Sequence, residues 1–246
     1  MKNHLSARLV AEFIGTFAFV FIGAGAAAVV GTGAGLNGIS AVAFAHGLTI
    51  MVFAFAYGSL SGAHFNPAVT VGVLAARAMT IGEAIGYIIS QLVAAIAAAF
   101  LLRDVLGGVA TGLGRPELAQ GVALGKTILT ITPEAGFVIE AVLAFFLVIV
   151  VLSTAISGRA GNFAPLAIGM TVTLNIMMGG ALTGADFNPA ISLGPMVATN
   201  NFTDAWLYVT APIVGAIIAA IAYKLLAVLA EEPSTAAAGR APARAE

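Results

Sequence analysis

Charged residues are scarce in this 246-residue chain, and cysteine is absent. The lack of cysteine excludes disulfides, thiol chemistry and Cys-ligated metals. Only three histidines are present, His4, His46 and His64, and no two of them have a helical metal-site spacing. No nucleophile–base pair or phosphate-cradling glycine loop is visible, so we expect no enzyme, no metal and no cofactor. A net charge of −1 gives no reason to expect a nucleic-acid partner.

Long apolar runs dominate what is there. Hydrophobic residues make up 60% of the chain and charged residues 9%, whereas a soluble domain carries about 25% charged residues. A membrane-spanning helix needs about 20 mostly apolar residues. Six runs meet that requirement: 9–30, 39–60, 81–102, 136–156, 163–182 and 205–229. In or beside them, three glycine pairs have the spacing that lets helices approach closely: Gly58 with Gly62, Gly82 with Gly86, and Gly180 with Gly184.

Two further apolar stretches, 66–76 and 188–198, are about half the length of a span. Each begins with Asn-Pro, which favours a helix start because Asn caps the free N–H groups and Pro suits the first helical position. We therefore expect two short helices that enter the membrane without crossing it.

The chain repeats itself with an offset of 122 residues. Residues 45–72 align without a gap on residues 167–194, and twelve of the 28 positions are identical. Each half holds three spans, an odd number, so the second half must be inverted relative to the first. Inverted repeats with interrupted helices are typical of transport proteins, with the pathway at the interface between the repeats. Irregular backbone at membrane depth is tolerated beside a water-filled cavity, so segments 61–65 and 183–187 should line one.

The duplicated motif reads Gly-Ala-His-Phe-Asn-Pro-Ala at residues 62–68 and Gly-Ala-Asp-Phe-Asn-Pro-Ala at residues 184–190. In these motifs the chain resembles the aquaporin, or major intrinsic protein, family over about residues 8–230. The resemblance implies an all-α membrane protein with six transmembrane helices, two re-entrant half-helices and an inverted 3+3 repeat. It also implies a homotetramer, and glutamates at positions 12 and 140 that hold the re-entrant loops.

If the two half-helices meet end to end at the centre of the membrane, the motifs can exclude ions and bind water. Each N-terminus carries roughly +0.5 elementary charge, which raises the energy of a cation in a narrow pore. The amides of Asn66 and Asn188 can donate to a passing water, and a water held by two donors relays protons poorly. The pore motifs are Asn66, Pro67 and Ala68 with Asn188, Pro189 and Ala190. The expected ladder of acceptor carbonyls is Gly62, Ala63, His64, Gly184, Ala185 and Asp186.

A second constriction, the family's aromatic/arginine filter, falls by spacing at His46, Ile176, Ala185 and Ile191. The family usually has arginine where this chain has Ile191, and arginine narrows the filter and repels cations. The sequence therefore predicts weaker selection for water alone. A one-residue shift in the fifth span would put Asn175 in place of Ile176. His46 is open to two interpretations, a neutral structural histidine or a pH-sensitive group.

Basic residues set the expected orientation. Seven lie on the side of the termini, namely Lys2, Arg8, Arg77, Arg159, Lys224, Arg240 and Arg244, against Arg103, Arg115 and Lys126 on the other. Both termini should then be cytoplasmic, in the cell (plasma) membrane. We expect a single channel domain over residues 1–230, with repeats of about 8–104 and 135–230 and an extracellular connecting loop over 105–134. The composition of residues 231–246 predicts a disordered cytoplasmic tail.

The sequence thus predicts a passive channel for water and other small uncharged solutes, such as ammonia, hydrogen peroxide, carbon dioxide and small polyols. A glycerol-type facilitator is one alternative, although Ile191-Ser192 does not match the arginine and aspartate usual in that group. An ion-coupled transporter is another, since such proteins need intramembrane carboxylates and this chain has Glu12 and Glu140. The expected partners are the bilayer, the permeating solutes and further copies of the chain.

Overall fold

The computed structural model describes residues 4–30 and 36–231. In that part of the chain eight helices follow one another: α1 (Leu5–Val30), α2 (Leu36–Ser61), α3 (Pro67–Ala75), α4 (Ile81–Val105), α5 (Pro133–Ile156), α6 (Ala164–Thr183), α7 (Pro189–Thr199) and α8 (Ala205–Glu231). Helices α1 and α5 each contain a π-helical segment, Phe19–Ala24 and Leu152–Ile156. Single 3₁₀ turns lie at Gly112–Gly114 and Gly161–Phe163.

The six long helices are long and apolar enough to cross a membrane, which confirms the six predicted spans. Local chemistry explains several of their ends. Helix α4 starts at a capping box, in which Thr80 and Glu83 satisfy each other's backbone N–H groups. Helix α5 starts with Pro133 behind a Thr132 cap. The first predicted span was four residues too short at its start, because residues 5–8 continue the helix despite their polarity.

The connecting loop holds the one departure from an all-α fold in the described residues. Strands β1 (Val122–Leu124) and β2 (Thr127–Leu129) pair antiparallel as a short hairpin within predicted loop 105–134. Sequence analysis missed this hairpin because strands of three residues leave too short a pattern to recognise. The prediction of a tail over 231–246 falls outside the described residues, apart from Glu231 at the end of α8.

The two halves of the chain interlock. Helix α2 packs along α6, its repeat counterpart, while α1 packs on α4 and α5 packs on α8. Each half-helix packs chiefly against the last span of the opposite half, α3 against α8 and α7 against α4. Because each half-helix packs on the other half, neither half forms a separate packed unit. The same packing brings the N-termini of α3 and α7 together at the centre of the molecule.

Glycine permits the close approach of α2 and α6. A β-carbon on Gly47 would overlap the side chain of Thr173, and one on Gly169 would lie 2.6 Å from the carbonyl oxygen of Gly47. The glycine pairs expected to let helices approach differ among themselves: a β-carbon on Gly86 would lie 3.1 Å from Leu9 of α1. One on Gly58 or Gly82 meets no described atom within 4 Å beyond its chain neighbours and its own helix backbone. Spacing along one helix shows which residues share a face, but not whether another helix covers that face.

Candidate functional site

Both half-helices begin where the sequence predicts. Asn66 and Asn188 have extended backbone and act as N-caps, and Pro67 and Pro189 take the first helical position. The Asn66 Oδ1 accepts from the Ala68 N–H at 2.7 Å, and the Asn188 Oδ1 accepts from the Ala190 N–H at 3.0 Å. All six residues of the two Asn-Pro-Ala motifs are buried.

The same two asparagines cross-link the motif loops. Asn66 Nδ2 donates to the carbonyl oxygen of Phe187 at 3.1 Å, and Asn188 Nδ2 donates to that of Phe65 at 3.0 Å. This exchange holds the N-termini of α3 and α7 against each other. Each amide has two N–H hydrogens, and only one of them is taken by a described residue. The second has no acceptor among the described residues.

The backbone that leads into each asparagine takes the same unusual path. Gly62 and Gly184 have φ of +89° and +90°, a region that glycine enters without strain. The first and third residues after each glycine also have positive φ: Ala63 (51°) and Phe65 (49°) in the first loop, Ala185 (53°) and Phe187 (32°) in the second. For such L-residues the conformation costs about 1–2 kcal/mol each. Among the described residues, no N–H or hydroxyl donates to the carbonyls of Gly62, Ala63, His64, Gly184, Ala185 or Asp186.

Glu12 stabilises the first of these loops. Its Oε1 accepts from the His64 N–H at 2.9 Å and from the Ser61 hydroxyl at 2.7 Å. Its Oε2 accepts from the Phe65 N–H at 2.7 Å and from the Gln91 amide at 2.8 Å. These four hydrogen bonds offset the free-energy cost of burying the Glu12 carboxylate and the backbone strain of the loop.

Glu140 has the same place in the second half. Its Oε1 accepts from the Thr183 hydroxyl at 2.6 Å and from the Asp186 N–H at 3.2 Å, while Oε2 accepts from the Phe187 N–H. Both glutamates are fully buried. Because their oxygens face the loop backbone, the structure gives them the anchoring contacts that the family resemblance implies.

Two tyrosines complete the loop supports, and sequence analysis missed them. Tyr87 donates to the carbonyl of Ser61, and Tyr208 donates to that of Thr183, both at 2.6 Å. They lie 121 residues apart, one residue off the repeat offset of 122. The chain has only four tyrosines, so this spacing could have identified Tyr87 and Tyr208 as residues with related roles in the two halves.

One pair of repeat-related positions, His64 and Asp186, carries different side chains in the two halves. His64 Nδ1 lies 3.1 Å from the Thr70 hydroxyl, and the counterpart Ser192 hydroxyl donates to Asp186 Oδ2 at 2.8 Å. The Thr70 hydroxyl also lies 3.0 Å from the carbonyl oxygen of Asn66. The two motif loops are therefore chemically different.

A cavity of about 530 Å³ opens on the Asp186 side. His46, Ile176, Gly184 and Asp186 contribute to its walls. His46 Nδ1 donates to the carbonyl of Val42 at 2.8 Å, so the neutral ring keeps Nε2 as an acceptor. Its ring is packed edge-on against Phe19, 5.3 Å between centroids. The connecting loop supplies further wall residues, including Arg115 and Glu117.

The structure brings two of the four predicted filter residues, His46 and Ile176, to this cavity. Ala185 and Ile191 are not among its wall residues; both are about 2% exposed and belong to the main apolar core. Asn175, the alternative to Ile176, donates to the Leu143 carbonyl at 2.8 Å and lines an apolar groove between α5 and α6. The register that places Ile176 at the cavity is therefore the one observed.

In residues 4–30 and 36–231, no cluster of three His, Asp or Glu side chains is suited to hold a metal ion. The arrangement offers hydrogen-bond donors at the centre and acceptors on either side. These donors and acceptors can exchange hydrogen bonds with a small polar molecule without any covalent step.

Known proteins are similar to this chain in sequence. The family model "Major intrinsic protein" matches residues 1–223. Aquaporin NIP6-1 of Arabidopsis thaliana is 36% identical over 223 residues, which cover 90% of this chain and 69% of the relative. Nodulin-26 of Glycine max is 34% identical over 89% of this chain and 77% of its own length. A probable aquaporin of TIP type from Medicago truncatula is 37% identical over 88% and 85%.

A solved structure agrees in fold. The X-ray structure of the aquaglyceroporin from Plasmodium falciparum superposes with a TM-score of 0.76 at 23% identity, covering 92% of this chain and 98% of that one. Two interlocked halves, two motif loops joined through their asparagines, and these matches lead to one assignment. The chain belongs to the major intrinsic protein family, the family of the aquaporins.

Proposed function

We propose that the protein is a passive transmembrane channel for water and other small uncharged solutes. The observation that carries the proposal is the exchange of hydrogen bonds in which Asn66 and Asn188 each donate to the opposite loop. That exchange holds two helix N-termini together at the centre of the molecule, with one amide hydrogen of each asparagine left for a permeating molecule. The family is one of channels, so the proposal includes no catalytic step.

Ion exclusion follows from the same contact. Two helix N-termini, each with roughly +0.5 elementary charge, raise the energy of a cation at their junction. A water that accepts from Asn66 and Asn188 points its hydrogens away from the centre, which interrupts a proton relay. The unpaired carbonyls of residues 62–64 and 184–186 then accept hydrogen bonds from the waters on either side.

Solute selection is proposed to be loose. His46 offers one polar edge, whereas Ile176, Ala185 and Ile191 offer none, so a solute is not required to match a dense set of donors. Ammonia, hydrogen peroxide, carbon dioxide and small polyols fit this description. A glycerol-type facilitator remains a specific form of the same proposal, and the aquaglyceroporin fold match does not distinguish it.

Ion-coupled transport is disfavoured by the anchoring glutamates. The oxygens of Glu12 and Glu140 accept hydrogen bonds from loop N–H groups and neighbouring hydroxyls. A coupling carboxylate needs to exchange its proton or cation during transport, which would release a strained loop here.

The protein is an integral membrane protein, and we place it in the cell (plasma) membrane with both termini in the cytoplasm. The excess of basic residues on the side of the termini supports that orientation. We further propose a homotetramer, with one pore in each channel domain of residues 1–230. Repeats of about 8–104 and 135–230, the extracellular loop 105–134 and the cytoplasmic tail 231–246 complete this arrangement.

Stopped-flow light scattering on proteoliposomes tests the function. Osmotic gradients of an impermeant sugar, glycerol, urea and ammonia report each permeability against protein-free vesicles. We expect rapid water flux without any ion gradient, together with measurable flux of at least one other solute. Water flux equal to that of empty vesicles, or uptake that needs an ion gradient, contradicts the passive channel.

An Ile191→Arg variant tests the filter assignment. Arginine would add a bulky donor and a positive charge at this position, so glycerol and urea permeability should fall more than water permeability. The same stopped-flow series measures the ratio. Exposed Leu229→Arg, near the cytoplasmic end of α8, is the matched control. An unchanged solute profile in Ile191→Arg means that the filter lies elsewhere.

A further inference from the structure

The outer cavity contains one arginine, and it comes from the connecting loop. Arg115 lies in the cavity wall with His46, Ile176 and Asp186. Its side chain is only 10% exposed, although it belongs to a loop. Helix α7, which starts at the second motif, carries Ile191 directly after the motif and contributes no basic residue to this wall.

The loop on either side of Arg115 is anchored in the body of the protein. Leu113 is fully buried in the main core, and a β-carbon on Gly114 would overlap the backbone of Ala24 in α1. Pro116 lies against Gly184, the first residue of the second motif loop. The position of Arg115 is therefore set by contacts with both halves of the protein.

Further along the loop, two more contacts tie it to the second motif. The Ala119 N–H donates to the carbonyl of Leu182 at 2.8 Å. Leu118 packs with Met196, Leu207 and Tyr208, the last of which supports the motif loop through Thr183. Because these contacts fix the backbone of the loop, they also fix the position at which the Arg115 side chain enters the cavity.

Charge in the cavity gives the arginine a role. Glu117 lies in the wall with its side chain 66% exposed, and a carboxylate at a pore mouth attracts cations. Arg115 pairs with Glu117 and adds a guanidinium that is always charged. Without it, the described cavity walls would carry acidic side chains and no permanent positive charge.

We propose that Arg115 is a selectivity-determining residue, whose guanidinium excludes cations at the outer mouth of the channel. This inference rests on the proposed channel function, because it assigns the cation barrier of that same path to a residue of the connecting loop.

The test compares Arg115→Gln with the wild type in proteoliposomes of the full chain. Water flux is measured by stopped-flow light scattering, and K⁺ and Na⁺ entry by ion-sensitive dyes trapped in the vesicles. Arg115→Gln should retain water flux and raise cation entry on the order of tenfold, since a unit charge in a partly buried site acts strongly on an ion nearby. Wild-type vesicles without water flux would overturn the channel function itself.

Two further variants separate charge from loop structure. Arg115→Lys keeps the positive charge and should exclude cations as the wild type does. Glu117→Gln breaks the same ion pair but leaves the guanidinium, so it should exclude cations at least as well as the wild type. The proposal fails if Arg115→Gln conducts water without added cation entry. It also fails if Glu117→Gln leaks as much as Arg115→Gln, because the ion pair rather than the charge would then be responsible.

Discussion

Asn66 and Asn188 each combine two tasks in one side chain. The oxygen caps a half-helix, and the amide nitrogen donates to the opposite loop. A serine or aspartate would cap as well, but neither has an NH₂ group with two hydrogens. The choice of asparagine therefore follows from the donor and not from the cap.

Asn66→Asp separates these two tasks. The carboxylate keeps the cap on Ala68, while the bond to the Phe187 carbonyl is replaced by repulsion between two oxygens. We expect a loss of about 1–3 kcal/mol in stability and a rise in proton entry, because a negative charge now lies at the centre. Thermal unfolding in detergent and a pH-sensitive dye in proteoliposomes measure the two effects. Asn188→Asp should behave alike, and wild-type behaviour of both variants would contradict the assigned role.

Glu140→Gln tests the anchoring of the second loop. Glutamine keeps one acceptor oxygen but turns an NH₂ group toward a donor such as the Phe187 N–H. Since the site is fully buried, we expect a loss of about 1–3 kcal/mol or more and lower water flux. The melting temperature in detergent is the measurement, and Glu134→Gln is the control, since Glu134 is exposed in the first turn of the same helix. Equal melting temperatures would remove the anchoring role.

At the scale of elements, the half-helices depend on their neighbours. Helix α3 has nine residues and α7 has eleven, and isolated helices of that length are marginal in water. They are held instead by caps at one end and by packing against α8 and α4 of the opposite half. Their length was readable from the sequence, because each apolar stretch starts at Asn-Pro and is too short to span.

The contact between α2 and α6 depends on glycine at the crossing. Gly47→Ala would force a methyl group into Thr173, which we expect to cost about 1–3 kcal/mol. Gly58→Ala in the same helix meets no described atom within 4 Å and should leave stability unchanged or raise it slightly, because alanine favours helix. Thermal unfolding of both variants in detergent checks the difference. If they melt together, the close approach of the two helices is not limiting.

At the scale of the whole molecule, labelling can check the orientation that we propose from the distribution of basic residues. The chain has no cysteine, so a single introduced cysteine is the only thiol. Lys126→Cys, exposed in the hairpin loop, should react in intact cells with a maleimide that cannot cross membranes. Arg159→Cys, exposed between α5 and α6, should react only after the cells are opened. The reverse pattern would invert the proposed topology.

The sequence by itself determined the class of protein, the six spans, the two half-helices and the inverted repeat. Each of these follows from local composition, from helix-start residues or from a gapless match between two segments, which need no knowledge of distant contacts. The motif asparagines followed too, because they recur at the repeat offset of 122. The role expected for Glu12 and Glu140 came from the family resemblance and not from their spacing.

Only the tertiary structure decided which side chains meet across the halves. It directed Asn66 to the Phe187 carbonyl and placed Ile176 rather than Asn175 at the cavity. It also left Gly58 and Gly82 uncovered and brought Arg115 into the wall of the cavity that Asp186 lines. The physical reason is that spacing along a helix shows which residues share a face but not what covers it. The return path of a long irregular loop is set by its contacts with the folded body, and those contacts exist only once both halves have packed.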